Sequence, residues 1–119
     1  MHGGYRLTSE FIVATINMRF EFDPDKDVGN QAKHGVSLSL AGELDWEAAL
    51  VWVDERFGYN EVRMIALAPE TNVLYYVAFV DRVDVRRIIS VRRANRDEVK
   101  HHVESFQTAS HRHAHAGRR

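Results

Sequence analysis

Between Phe20 and Ser37 the chain writes out a strand, a helix start, a helix, a helix stop and the opening of a further element, all within 18 residues. Phe20 and Phe22 alternate with Arg19 and Glu21, the period of a half-buried strand. Asp23 then suits the N-cap and Pro24 the first helical position, where a missing N–H costs nothing. Asp25 adds negative charge to the first turn, where the helix dipole favours it. Gly35 is a natural left-handed stop after His34. Within this helix Val28 and Ala32, at i and i+4, are expected to face inward. Lys26, Asn30, Lys33 and His34 share one helical face, which sets phosphate-capable side chains on a rigid support. Ser37 is a second N-cap candidate. Leu38, Ala41 and Leu44 then give helical spacing for a short helix ending near Glu43 to Asp45, weakened by Gly42.

Beyond that point the pattern turns to β. Ala49–Val53 and the alternating stretch Glu61–Ala68 read as strands. Val73–Val80 is nearly unbroken in its apolar character and is expected to be central, and Val85–Val91 returns beside it. Pro69–Asn72 and Asp81–Asp84 have turn composition. Asn95 opens a last helix with Glu98 placed for a capping box, and Val99, Val103 and Phe106 should pack on the sheet. The reading is a single α+β domain. It has an antiparallel sheet of about four to five strands with helices packed on one face.

Residues 1–17 read as an extension before the domain, with Phe11–Ile16 prone to form an edge strand and Met18 a plausible natural start. The domain proper spans 18–108. Residues 109–119, rich in His and Arg, are expected to be a disordered tail. His111, His113 and His115 in that tail have no structural zinc spacing, so no metal site is expected.

The chain has no cysteine, which excludes disulfides, thiolate metal sites and a cysteine nucleophile. No apolar run nears the roughly 20 residues of a membrane span, and no convincing signal peptide stands at the front, so a cytoplasmic location is expected. Charge is unevenly spread. From Met18 to Asp81 there are five Lys/Arg against twelve Asp/Glu, a net −7; from Arg82 onward ten against four give +6. Such polarity suits a polyanion on one side and a basic partner on the other, or a merely uneven solvated surface.

RNA is the first substrate class these residues suggest. Cleavage through the ribose 2′-OH needs a proton acceptor, cations around the phosphorane and a proton donor for the leaving oxygen; it needs neither a metal nor a cofactor. His34 titrates near neutrality, although a cation at a helix C-terminus also serves the helix itself. Lys33, with Lys26 and Asn30, could bind phosphate or simply solvate the helix. Glu61 and Arg63, at i and i+2 on a strand, could act as base and clamp or form a surface ion pair. By alternation Arg86, Ser90 and Arg92 form one polar face, the best phosphate-binding stripe, with Arg87 on the other face and Arg93 near the following turn. Phe57 and Tyr59 are the likelier pair to stack on unpaired bases. Tyr75 and Tyr76 are adjacent on a strand, so only one of them can be buried.

Phe20-Glu21-Phe22-Asp23-Pro24-Asp25-Lys26, Asn30-Gln31-Ala32-Lys33-His34-Gly35-Val36-Ser37, Glu61-Val62-Arg63 and Arg87-Ile88-Ile89-Ser90-Val91-Arg92-Arg93-Ala94 together resemble the BrnT family of toxins. The likeness covers about residues 18–105. Phe22 stands where the family often has Trp, and His101-His102-Val103 where a tyrosine is common nearby. The resemblance implies a RelE-like fold and the toxin of a type II toxin–antitoxin pair. It implies a metal-independent endoribonuclease that halts translation, with His34, Lys33, Glu61, Arg63 and Arg92 as catalytic candidates. Lys26, Asn30, Arg86, Arg87 and Arg93 are the corresponding RNA-binding candidates. It further implies a ribbon-helix-helix antitoxin of the BrnA type, through which alone the pair would touch DNA. The competing class is a non-catalytic nucleic-acid- or protein-binding module of the same fold.

Overall fold

The computed structural model describes residues 18–56 and 60–117, with side chains as far as Gln107. The elements run β1 (Arg19–Glu21), α1 (Pro24–His34), two 3₁₀ turns (Leu38–Glu43 and Trp46–Ala48), β2 (Leu50–Val53), β3 (Met64–Glu70), β4 (Val73–Arg82), β5 (Val85–Arg93) and α2 (Arg96–Gly117). The sheet order is β1-β5-β4-β3-β2, so β4 is central, as its apolar sequence requires. Strands β2 to β5 form an antiparallel meander, but β1 joins β5 in parallel, with Phe20 opposite Arg86. The sheet is therefore mixed rather than antiparallel, because the chain returns to β1 only after crossing the whole domain. The β3–β4 turn is tighter than its composition suggests: β3 runs through Pro69 to Glu70, and Thr71, at φ 55°, makes the left-handed corner.

The caps of α1 follow the sequence. Asp23 accepts from the Asp25 N–H at 2.9 Å, and Gly35 closes the helix at φ 75°. Its inward face does not. Val28 is 68% exposed and Ala32 is exposed too; the buried residue is Asn30. The Asn30 amide donates to the carbonyls of Val36 (2.9 Å) and Val91 (2.8 Å), and its oxygen accepts from the Val91 N–H (3.2 Å). Asn30 is thus a clamp between α1 and β5, with its amide engaged by backbone groups. It also satisfies ladder groups on β5, whose neighbour β1 pairs only residues 85–87. Asn30→Leu is expected to cost on the order of 3 kcal/mol, since it orphans buried backbone groups; a chemical-denaturation midpoint equal to wild type would contradict this.

Leu38, Ala41 and Leu44 are buried as their spacing demands, but in a 3₁₀ turn. A repeat of three is the 3₁₀ period, which the sequence reading took for an α-helix. With Trp46 they cover one sheet face, lined by Ala66, Ala68, Tyr75, Val77, Phe79, Ile88 and Val91. Trp46 stacks on Phe20 (centroids 5.8 Å), meets Phe79 edge-on (5.4 Å) and donates its indole N–H to the Ala41 carbonyl at 2.9 Å.

Arg86 lies inside this core, fully buried. Its guanidinium sits 4.7 Å from the Trp46 ring centroid and 4.5 Å from that of Phe79. Its Nε and Nη2 donate to the two carboxylate oxygens of Asp81 at 2.6 and 2.7 Å. The placement of Arg86 with Ser90 and Arg92 on one exposed stripe is therefore wrong. The reason is a β-bulge: Phe79 pairs with Ile88 but Ala78 with Ser90, so Ile89 is an extra residue. The bulge shifts the alternation by one, sending Arg86 and Ile88 to the core and putting Arg87, Ser90 and Arg92 together on the opposite face.

The capping box of α2 is present. Glu98 N–H donates to Asn95 Oδ1 and Asn95 N–H to Glu98 Oε1, both at 2.8 Å. The apolar stripe of α2 does not pack on the core face. Val99, Val103 and Phe106 are each more than 40% exposed. That face is already filled by the 3₁₀ turns, so α1 and those turns share one side while α2 lies at the rim of the other. There His102 Nε2 donates to the Ala48 carbonyl (2.8 Å) and His101 meets Trp52 edge-on (6.2 Å). The helix extends to Gly117, through the segment whose composition suggested a tail. The expected strand Phe11–Ile16, the stacking candidates Phe57 and Tyr59 and the tail histidine side chains lie outside the described residues. Among the described residues no helix is long and apolar enough to cross a membrane.

Candidate functional site

The sheet face opposite the core has an apolar floor and charged walls. Ile65, Leu67, Ala78 and Val80 are buried in the floor. Cross-strand register and alternation add Asp54 and Arg63 at the β2–β3 end, Tyr76 on β4, and Arg87, Ser90 and Arg92 on β5. Asp54 and Arg63 extend the ladder past the assigned strands, the Asp54 N–H donating to the Arg63 carbonyl at 2.7 Å.

Arg92, near the end of β5 on this face, is held on several sides. Its guanidinium lies 3.9 Å from the Tyr76 ring centroid, a cation–π stack. Nη1 and Nη2 donate to the two Glu98 oxygens at 2.9 Å each, and Nη1 also donates to the Arg93 carbonyl at 3.1 Å. Hydrogen bonds from Arg92, outweighing its partial burial, hold the Glu98 carboxyl below its ordinary range. Glu98 therefore ties the first turn of α2 to the site. The sequence marks Glu98 only as a capping-box residue; its pairing with Arg92, six residues earlier, is added by the structure.

His34 stands at the C-terminal end of α1, beside Lys33 and within electrostatic reach of Arg92. Its imidazole is held below the ordinary value of 6.5, by partial burial first, then by the charges of Lys33 and Arg92. The proton is lost more readily there, so the ring is a neutral acceptor at pH 7. The Asn30 amide bonds both the Val36 and the Val91 carbonyls, so the C-terminal end of α1 lies against β5 next to Arg92. Lys26 is exposed in the first turn of α1, eight residues and about 12 Å from His34 along the axis. Arg93, opposite Tyr75, is exposed at the end of β5 on the core side of the sheet. Tyr75 is the buried member of the tyrosine pair and Tyr76 the partly exposed one.

Glu61 and Arg63 precede β3, which starts at Met64, and they part company. Arg63 Nε approaches Asp54 Oδ2 at 4.0 Å. Glu61 accepts from Arg82 Nε and Nη2 at 2.9 Å each. Arg82 lies six residues along β4 from Tyr76, about 20 Å at roughly 3.3 Å per residue. Glu61 is therefore remote from His34 and Arg92. Arg87 sits nearer that remote end, donating to Glu21 Oε2 at 2.8 Å.

This geometry meets an independent finding. A family model described as "Ribonuclease toxin, BrnT, of type II toxin-antitoxin system" matches residues 22–98, which takes in α1, the whole meander and the Glu98 turn. No curated protein sequence matches the chain. With a match over well more than half its length, the chain belongs to the BrnT family of ribonuclease toxins of type II toxin–antitoxin systems.

Proposed function

We propose that RNA binds along the arginine-lined rim of this sheet face and is cleaved, without a metal or cofactor, where α1 meets β5. Neutral His34 accepts the proton of a ribose 2′-OH. The freed oxygen attacks the adjacent phosphorus, the P–O5′ bond breaks, and the leaving oxygen takes a proton from water while His34 returns its own to the hydroxide so formed, which leaves a 2′,3′-cyclic phosphate and a 5′-hydroxyl. Lys33 and Arg92 stabilise the charge that builds on the phosphorane, the task a preorganised guanidinium suits best. Arg63 and Arg87 hold flanking phosphates, and Lys26 and Arg93 add exposed positive charge on either side. Asn30 and Arg86 support the scaffold, and Glu61 orders Arg82 at the remote end. The observation that carries this reading is the Asn30 clamp, whose bonds to the Val36 and Val91 carbonyls hold the His34 end of α1 against β5 next to Arg92.

The family implies an RNA target and an antitoxin partner. We propose a ribbon-helix-helix antitoxin of the BrnA type, DNA contact only through it, action in the cytoplasm, and arrest of translation as the outcome. Expression without the antitoxin should stop growth and protein synthesis; normal growth with intact, folded protein would remove the enzymatic reading. Purified protein should cleave labelled RNA equally well with and without EDTA, and loss of cleavage on chelation would overturn the metal-free mechanism.

A further inference from the structure

The segment leaving β2 carries a carboxylate and a guanidinium whose burial differs sharply. The Asp54 side chain is 2% exposed, whereas that of its partner Arg56 is 63% exposed. Arg56 meets Asp54 three times, with its backbone N–H (3.2 Å) and Nε (2.8 Å) on Oδ1 and Nη2 (2.9 Å) on Oδ2. The Arg63 guanidinium approaches the same carboxylate from the other strand at 4.0 Å. An ordinary surface ion pair leaves both members in water and contributes little. The Arg86–Asp81 pair is sunk the other way round, its guanidinium fully buried and its carboxylate side chain 28% exposed. Here the acid is sunk into the site face and the base is held out from it.

We infer that Arg56 is a further RNA-phosphate contact and that Asp54 is the positioning residue that aims it. This rests on the ribonuclease reading of the same face. The fork geometry fixes one edge of the guanidinium and so limits the rotamer freedom a phosphate contact would otherwise remove. The Asp54 carboxyl is held below its ordinary range, chiefly by the Arg56 hydrogen bonds, so the anchor stays charged at neutral pH. Arg56 also acts electrostatically on Arg92. Two guanidiniums brought toward each other over one surface are what a polyanion spanning successive phosphates would relieve. Arg56 would therefore bind a phosphate of single-stranded RNA lying along this face.

The test is fluorescence anisotropy of the full chain with a 2′-O-methyl single-stranded oligoribonucleotide, which cannot be cleaved, between 50 and 200 mM salt. Arg56→Ala should lower the magnitude of the log–log salt slope by about 0.7 and weaken binding about fivefold near 0.1 M salt. An unchanged slope and affinity would overturn the inference. Asp54→Asn adds a net positive charge and by charge alone should tighten binding. Positioning requires that it weaken binding instead, and tighter or equal binding would overturn that role. Should circular dichroism show Asp54→Asn unfolded, Arg56→Lys takes its place, because it keeps the charge and loses the fork. The wild-type slope with several-fold weaker affinity is then expected, and wild-type affinity would overturn positioning. Wild-type protein with no salt-dependent RNA binding would instead refute the ribonuclease reading of the face, a result distinct from all of these.

Discussion

Replacing His34 with alanine is expected to lower RNA cleavage by about 10²- to 10⁴-fold, the range for removing a general acid–base group, and to relieve the growth arrest caused by the free toxin. The side chain is partly exposed at a helix end, so the fold should survive. The pH profile gives a sharper test. Partial burial, then Lys33 and Arg92, hold the imidazole below 6.5, so the acceptor form persists to lower pH than in a free histidine. The acidic limb of kcat/KM should therefore fall below pH 6.5, and the residual activity of His34→Ala should lack that limb. A limb above 6.5, or one retained in the variant, would assign the proton transfer to another group. Since the shift depends on neighbouring cations, Arg92→Ala should move the limb upward toward 6.5 in whatever activity remains.

Arg86→Ala is expected to be the most destabilising single change in the described core, at about 3–5 kcal/mol. It removes a fully buried guanidinium from between two aromatic rings and leaves Asp81 without its bidentate partner. Arg86→Met should recover part of the loss by filling the space, because a shape-matched apolar residue avoids the cavity. Arg87→Ala should stay within about 1 kcal/mol, since its bond to Glu21 is a partly exposed pair. Urea midpoints of the three variants decide the matter. Equal midpoints for Arg86→Ala and Arg87→Ala would mean that the bulge at Ile89 does not separate the two side chains. The contrast discriminates well because regular alternation would have made Arg86 a surface residue, with a loss of RNA affinity rather than of stability.

What could be read from the sequence was whatever depends on neighbours in the chain. Asp23, Pro24 and Gly35 bound α1 because caps are local chemistry. Asn95 and Glu98 form their box for the same reason, and the apolar run of β4 placed that strand at the centre. What failed needed tertiary knowledge. Asn30 looked like a surface amide because nothing local says that β5 leaves ladder groups unpaired beside it. Val28 and Ala32 had the right spacing to be buried, but α1 contacts the sheet through a polar clamp instead. Arg86 was misassigned by an alternation rule that one extra residue defeats. Of the candidate site residues, His34, Lys33 and Arg92 come from residue type and likeness and lie toward one end of β5, whereas Glu61, a candidate through its nearness to Arg63 in sequence, pairs with Arg82 at the other end of the sheet. Asp54 and Arg56 were passed over because an acid and a base two apart, on leaving a strand, look like ordinary surface residues until their burial is known.

The parallel pairing of β1 with β5 has a bearing on when the molecule can become dangerous. Among the described residues β1 pairs in the sheet with β5 alone, and the histidine that ends α1 has no Arg92 beside it until β5 has formed against the meander. A nascent chain that has exposed its first helix but not its last strand carries only half of the proposed site. The order of synthesis thus delays assembly of the nuclease until nearly all of the domain has been made, and most of the time in which an antitoxin must be at hand falls after that point.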